Sequence, residues 1–113
     1  MNEKERLTLI SILSHCDAVT SRIEKYAVTE ERFLTESDLA DLLLMPLLQI
    51  GELALRLSQE YRDENPEIPW KQIMEFRNVI VHDYDRVILP WAWSDVEDDL
   101  PVLAERCRKS LAG

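Results

Sequence analysis

The chain has 113 residues, 22 acidic against 13 basic, and a formal net charge of −9. That length fits one domain, residues 1–113, with a core of its own, and the charge has the wrong sign for general nucleic-acid affinity, so any RNA contact must be local. The charged start Met1-Asn2-Glu3-Lys4-Glu5-Arg6 is unlike a signal peptide, and the longest apolar stretch, Leu42 to Ile50, is broken by Pro46 and Gln49 and too short to span a bilayer, so a cytoplasmic chain without a membrane partner is expected.

Taken in chain order, the hydrophobic rhythm is helical almost everywhere. Leu9, Ile12, Cys16, Val19, Ile23 and Tyr26 recur at intervals of three and four, one stripe of an amphipathic helix, and Leu7, Ile10 and Leu13 widen it near its start. A break falls at Ala27 to Thr35, with Thr29-Glu30-Glu31-Arg32 placed to cap a short helical turn. Ser37-Asp38 opens a second long helix whose stripe runs Leu39, Leu43, Leu47, Ile50, Ala54, Leu57 and Tyr61. Pro46 lies inside that run and should kink it, because its ring removes a backbone donor and crowds the preceding turn. Gly51 either permits close approach of a neighbouring helix or is a tolerated packing glycine, and the second reading is the more usual.

Asp63 to Pro69 reads as a loop, since Pro66 and Pro69 cannot continue a helix. A third helix begins at Pro69-Trp70 and reaches His82 through Ile73, Phe76 and Ile80. A last one starts near Pro90-Trp91 and passes through Val96, Leu100, Leu103 and Cys107, bent at Pro101. No period-two alternation extends over a useful length. The expected architecture is an all-α, up-and-down bundle of four to five helices. Cys16 and Cys107 lie near opposite ends without metal-ligand spacing, and read as buried thiols in a reducing compartment; a bridge between the first and last helices stays open. No Cys/His cluster, glycine-rich phosphate loop or acidic metal repeat occurs, so no cofactor or metal is expected.

The chemistry concentrates in Arg77-Asn78-Val79-Ile80-Val81-His82-Asp83-Tyr84. Arginine carries a rigid fork of donors that matches phosphate oxygens, and histidine, with an unperturbed pKa of about 6.5, serves as acid or base at neutral pH. On a helix, residues four apart are neighbours, so Asn78 is expected beside His82, where an amide can fix the ring. Each residue also has a plainer reading. His82 can be a helix-end surface residue, Arg77 the structural partner of Glu52, and Tyr84 a packing residue or a modifiable hydroxyl positioned by Asp85. His15 reads as helix surface, and Trp70, Trp91 and Trp93 as core or interface anchors. Lys71, Arg77 and Arg86, with Arg56 and Arg62, are candidates for a local positive field.

Arg77, then four residues, then His82-x-Tyr84 resembles the signature of the HEPN superfamily, in particular the HepT-like toxins. The likeness continues through Ile50-Gly51-Glu52, Ile68-Pro69-Trp70, Tyr84-Asp85, Trp91 and Asp98-Asp99-Leu100-Pro101, about the second half of the chain at family-like spacings. Asp83 departs from it, since a small residue, commonly glycine, often stands there; an added carboxylate is expected to raise the pKa of His82 or to repel RNA.

The resemblance implies a HEPN-type bundle that forms a homodimer, and a toxin acting as a metal-independent endoribonuclease, with Arg77, His82 and Asn78 as catalytic residues. It also implies a cognate antitoxin, an MNT-type nucleotidyltransferase often called MntA, which in some systems transfers AMP to the motif tyrosine, here Tyr84. The alternative is a non-catalytic subunit that binds or regulates a nucleotidyltransferase, a reading favoured by Asp83 and the acidic surface. A purely structural dimerisation module would leave the intact Arg, His and Tyr a coincidence.

Overall fold

Three of the helices start where a side chain satisfies a backbone donor left unpaired at a helix start. In the computed structural model, which describes residues 1–113, α1 (Glu3–Tyr26) begins where the Asn2 side chain accepts the Glu5 N–H at 2.8 Å. It ends at Ala27, which is left-handed at φ 50°, and the Arg32 guanidinium donates to the Tyr26 and Ala27 carbonyls at 2.6 and 3.0 Å across that turn. Thr29 caps α2 (Glu30–Thr35), and α3 follows as Ser37–Ala54. Ser58 caps α4 (Gln59–Glu64), and α5 spans Trp70–His82. A 3-10 turn at Tyr84–Arg86 leads to α6 (Leu89–Ser94), a π turn at Asp95–Asp99 and α7 (Leu100–Ala112).

The fold is all-α. Its long members are α1, α3, α5 and the unbroken helical run from α6 through α7; α1 packs on α3 and α7, and α5 lies on α3. The core sits among them, with Leu9, Ile12, Phe33, Leu43, Ile50, Leu103 and Cys107 at 2% exposure or less. No helix is long and apolar enough to cross a membrane. Cys16 and Cys107 are both buried and free, and burial pushes the thiols up to about 12 and about 11, with Cys107 itself the next largest influence on Cys16.

The α1 stripe is narrower than its periodicity predicts. Leu9, Ile12, Cys16 and Val19 are buried, whereas Tyr26, Leu7 and Ile10 are exposed, because α1 is covered only on the side that meets α3 and α7. Every residue of the second stripe, Leu39 to Tyr61, is buried, yet the helix stops at Ala54 and restarts at Gln59. The interruption is tertiary in origin: Ser58 Oγ accepts the Tyr61 N–H, and the Glu5 carboxylate of α1 accepts from both Ser58 N–H and Oγ–H at 3.0 and 2.8 Å. The following loop is accordingly shorter than expected, Asn65 to Pro69.

α3 stays helical through Pro46. The proline has no N–H for the carbonyl one turn back, that of Leu42, and Arg22 of α1 donates Nη1 to this oxygen at 2.7 Å. A partly buried acceptor is thereby satisfied by a neighbouring helix. Pro101 is accommodated otherwise: just before it the Leu100 N–H reaches back to the Asp95 carbonyl, a five-residue step that widens the helix where a proline ring would crowd the preceding turn.

Candidate functional site

Gly51 decides how near α5 comes to α3. A Cβ there would stand 2.4 Å from the Arg77 Cβ and 3.1 Å from the Ile73 carbonyl oxygen, so the close-approach reading of this glycine is the one the structure supports. With the helices this close, Arg77 donates Nε to Glu52 Oε1 of α3 at 2.5 Å, the side chains being 21% and 32% exposed. Nη1 donates to Asn78 Oδ1 at 2.7 Å. Two of the three guanidinium nitrogens are thus fixed from the protein side, and Nη2 is the remaining corner of the fork.

Asn78 therefore contacts Arg77, whereas its expected partner was His82. The amide oxygen is engaged by the stronger, charged donor. His82 is the last residue of α5 and exposed, and the Asp83 N–H closes the helix on the Val79 carbonyl at 2.8 Å. Asp83 turns its carboxylate to Arg86 Nε at 3.0 Å, so its charge meets a cation of its own turn.

Tyr84 opens the 3-10 turn and is 46% exposed. Its hydroxyl donates to the Asp41 carboxylate on α3; Asp85, the expected positioner, is not the residue that holds it. Burial, then the hydrogen bond and charge of Asp41, push the phenol up to about 12. Asp41 and Glu52 are eleven residues apart, three turns or about 16 Å along α3, and fall on one helical face. One face of α3 thus grips both ends of the motif on antiparallel α5, Glu52 at Arg77 and Asp41 at Tyr84. Sequence reasoning missed Asp41; its three-turn spacing from Glu52 was the available signal.

Three of the five cations expected to form a positive field meet an acid, Arg77 among them through Glu52, and a fourth is engaged by neutral acceptors. Lys71 pairs with Glu75 at 3.9 Å and Arg86 with Asp83, while Arg62 donates to the Ala54 carbonyl and Gln59; Arg56 is exposed. Trp70 is buried and donates Nε1 to the Asn65 carbonyl at 3.0 Å. Trp93 packs at 5.4 Å from Phe33, and Trp91 is 67% exposed. Trp91 borders a 410 Å³ cleft with Gln72, Phe76, Asp95 and Asp99, where burial and then the hydrogen bond and charge of Asp99 raise Asp95 to about 7. His15 is partly buried on α1 rather than fully surface-exposed; burial and then the charge of Arg22 lower its pKa.

Comparison with known proteins places this chain in a family. The Ribonuclease HepT-like family matches residues 16–110. The chain is 33% identical over 101 residues to a protein of Methanocaldococcus jannaschii named "Gamma-glutamylcyclotransferase and putative RNase", covering 88% of this chain and 46% of that protein, so it spans about half the length of that relative. It is 26% identical over 100 residues to a "Putative RNase" of Caldanaerobacter subterraneus subsp. tengcongensis, covering 88% of each. To the "Probable ribonuclease HepT" of Thermococcus cleftensis it is 28% identical over 79 residues, covering 70% of this chain and 72% of that protein. No solved structure matches the chain. With 95 residues, 16 through 110, inside the family match, the chain belongs to the HepT-like ribonuclease family.

Proposed function

We propose that residues 1–113 form one HEPN unit acting as a metal-independent endoribonuclease, the toxin of a toxin–antitoxin pair. The observation that carries this reading is the placement of Arg77, His82 and Tyr84 along the second half of α5 and the turn after it, with Arg77 anchored by Glu52 and Asn78 while His82 faces solvent. An anchored guanidinium with a free corner stabilises charge gathering on a phosphoryl group. The accessible imidazole moves the proton.

One histidine per chain supplies an acid or a base, and cleavage needs both. A homodimer about a two-fold axis places two motifs at a shared cleft, where one His82 takes the proton of the ribose 2′-hydroxyl and the other protonates the leaving 5′-oxygen. The product is a 2′,3′-cyclic phosphate, and DNA, lacking the attacking hydroxyl, is spared. Exposed apolar side chains around the motif, Val81 at 45%, Ile88 at 46% and Met45 at 55%, suit burial in such a dimer. In this mechanism Asn78 orients Arg77.

The cognate antitoxin in this reading is an MNT-type nucleotidyltransferase, and Tyr84 is its acceptor for AMP. An adenylate on Tyr84 adds a phosphodiester anion and a nucleoside to the turn that follows His82 and excludes RNA by charge and bulk. The alternative, a non-catalytic subunit that binds or regulates a nucleotidyltransferase, is favoured by the paired state of the motif cations, Arg77 with Glu52 and Arg86 with Asp83.

Incubation of the purified chain and its His82→Ala variant with total cellular RNA in EDTA, followed by mapping of product ends, separates the two. The nuclease reading expects cleavage by wild type alone, with cyclic phosphate termini, and a loss of about 10²–10⁴-fold in the variant. Intact RNA in both, with Tyr84 unmodified by mass spectrometry, favours the binding subunit.

A further inference from the structure

A phenol is a poor nucleophile while it keeps its proton. Tyr84 keeps it firmly: with its pKa pushed up to about 12, the phenolate is a minute fraction of the population at neutral pH. Group transfer to this oxygen therefore needs an acceptor for the proton at the moment of attack. The structure provides one in contact. The Tyr84 hydroxyl donates to a carboxylate oxygen of Asp41, which comes from α3 and not from the motif turn. Besides burial, Asp41 is the one charged group that acts on the phenol. The neighbouring charges are occupied among themselves, Asp83 with Arg86 on the turn and Arg77 with Glu52 between α5 and α3; His82 ends α5, and Asp85 lies on the exposed turn. Tyr84 is nearly half exposed, so the side chain lies at the surface, where a partner enzyme can reach it.

We infer that Asp41 is the proton acceptor for nucleotidyl transfer to Tyr84, fixing the phenol oxygen against α3 and taking its proton as a nucleoside triphosphate is attacked. This rests on the reading of Tyr84 as a nucleotide acceptor. In the step, the Tyr84 oxygen forms a bond to the α-phosphorus of the triphosphate held by the nucleotidyltransferase. The bond from that phosphorus to the bridging oxygen breaks, pyrophosphate leaves with the electron pair, and the phenolic proton passes to the Asp41 carboxylate. The product no longer has a hydroxyl to donate, and its phosphodiester anion stands against the carboxylate once Asp41 releases the proton to water. Modification thus removes the tie between the motif turn and α3 and replaces it with repulsion.

The test follows the rate of nucleotide incorporation at Tyr84 by peptide mass spectrometry. The full chain is incubated with the cognate nucleotidyltransferase, ATP and magnesium across a range of pH, as wild type, Asp41→Asn, Asp41→Glu and Tyr84→Phe. Asparagine keeps an oxygen that accepts the hydrogen bond but is no base. The expected result is a wild-type rate that is flat across neutral pH, where carboxylates are ionised. Asp41→Asn should be at least about tenfold slower at neutral pH, with a rate that climbs in proportion to hydroxide because the phenolate must form unaided, and Asp41→Glu should recover part of the rate and the flat profile. An Asp41→Asn rate equal to wild type, or a slower rate with the wild-type pH profile, overturns the inference and leaves Tyr84 as acceptor. No label on wild-type Tyr84 overturns both.

Discussion

The two ends of α5 are held by different physics. At its start, Trp70 is buried against the core, edge-on to Tyr61 at 6.2 Å, and the region continuous with it, α1, α3 and α7, is fixed by close-packed apolar side chains. At its far end only Ile80 is buried, and Arg77 and Tyr84 are tied to α3 by Glu52 and Asp41. Packing is non-directional, and its strength follows the buried area, so it builds the scaffold. Ion pairs and hydrogen bonds are directional and modest in water, so they aim side chains that must remain accessible.

Substitutions sharpen this contrast by striking one kind of contact at a time. The largest effect is expected in the core: Phe33 is 0% exposed, and Phe33→Ala should lower unfolding free energy by about 3–5 kcal/mol in denaturant melts. Gly51→Ala strikes the seam between the regions. Its Cβ would overlap the Arg77 Cβ, and an overpacked contact of this kind costs about 1–3 kcal/mol; RNA cleavage should fall further than stability alone explains, because Arg77 is displaced. If Gly51→Ala lost stability and kept full cleavage, the directional anchoring of Arg77 would not matter to function.

Asp95 tests polar burial away from the motif. Its pKa is raised in the folded chain to about 7, above the ordinary value of about 3.9, so folding favours its protonated form. That contribution is present in full below about pH 4 and is lost as pH rises through about 7. Discounted for solvent screening at a partly exposed pair, it amounts to about 1–2 kcal/mol. Asp95→Asn should remove this slope and raise the melting temperature most at pH 8; an unchanged pH dependence would show that the Asp95 and Asp99 carboxylates do not share a proton. The smallest effect belongs to Arg22→Met, which frees the Leu42 carbonyl left without its helical donor by Pro46. A loss of about 1 kcal/mol is expected; restoring the backbone donor with Pro46→Ala in the same chain should offset part of it.

Much of the scaffold is legible in the sequence because burial in helices leaves a periodic trace. The α3 stripe from Leu39 to Tyr61 identifies seven buried residues, and Thr29, Ser37 and Trp70 mark helix starts that the backbone adopts. The π turn before Pro101 leaves no such trace, since nothing in Asp95-Val96-Glu97-Asp98-Asp99 distinguishes a five-residue step from a four-residue one. At the motif, the identities of Arg77, His82 and Tyr84 are visible, and the pairing of Arg77 with Glu52 was among the readings open. The contact of Asn78 with Arg77, that of Asp83 with Arg86, and Asp41 itself are not.

Local order along the chain therefore determined the helices, the buried stripes and the side chains of the motif, because each depends on neighbours one to four residues away and on composition. The tertiary structure alone decided which polar partner each motif side chain meets. Asp41 lies 43 residues from Tyr84 and Glu52 25 from Arg77; they come together only when Gly51 lets α5 lie against α3. Many acids were available to each donor in a chain with 22 of them, and the choice among them was made by the antiparallel register of two packed helices.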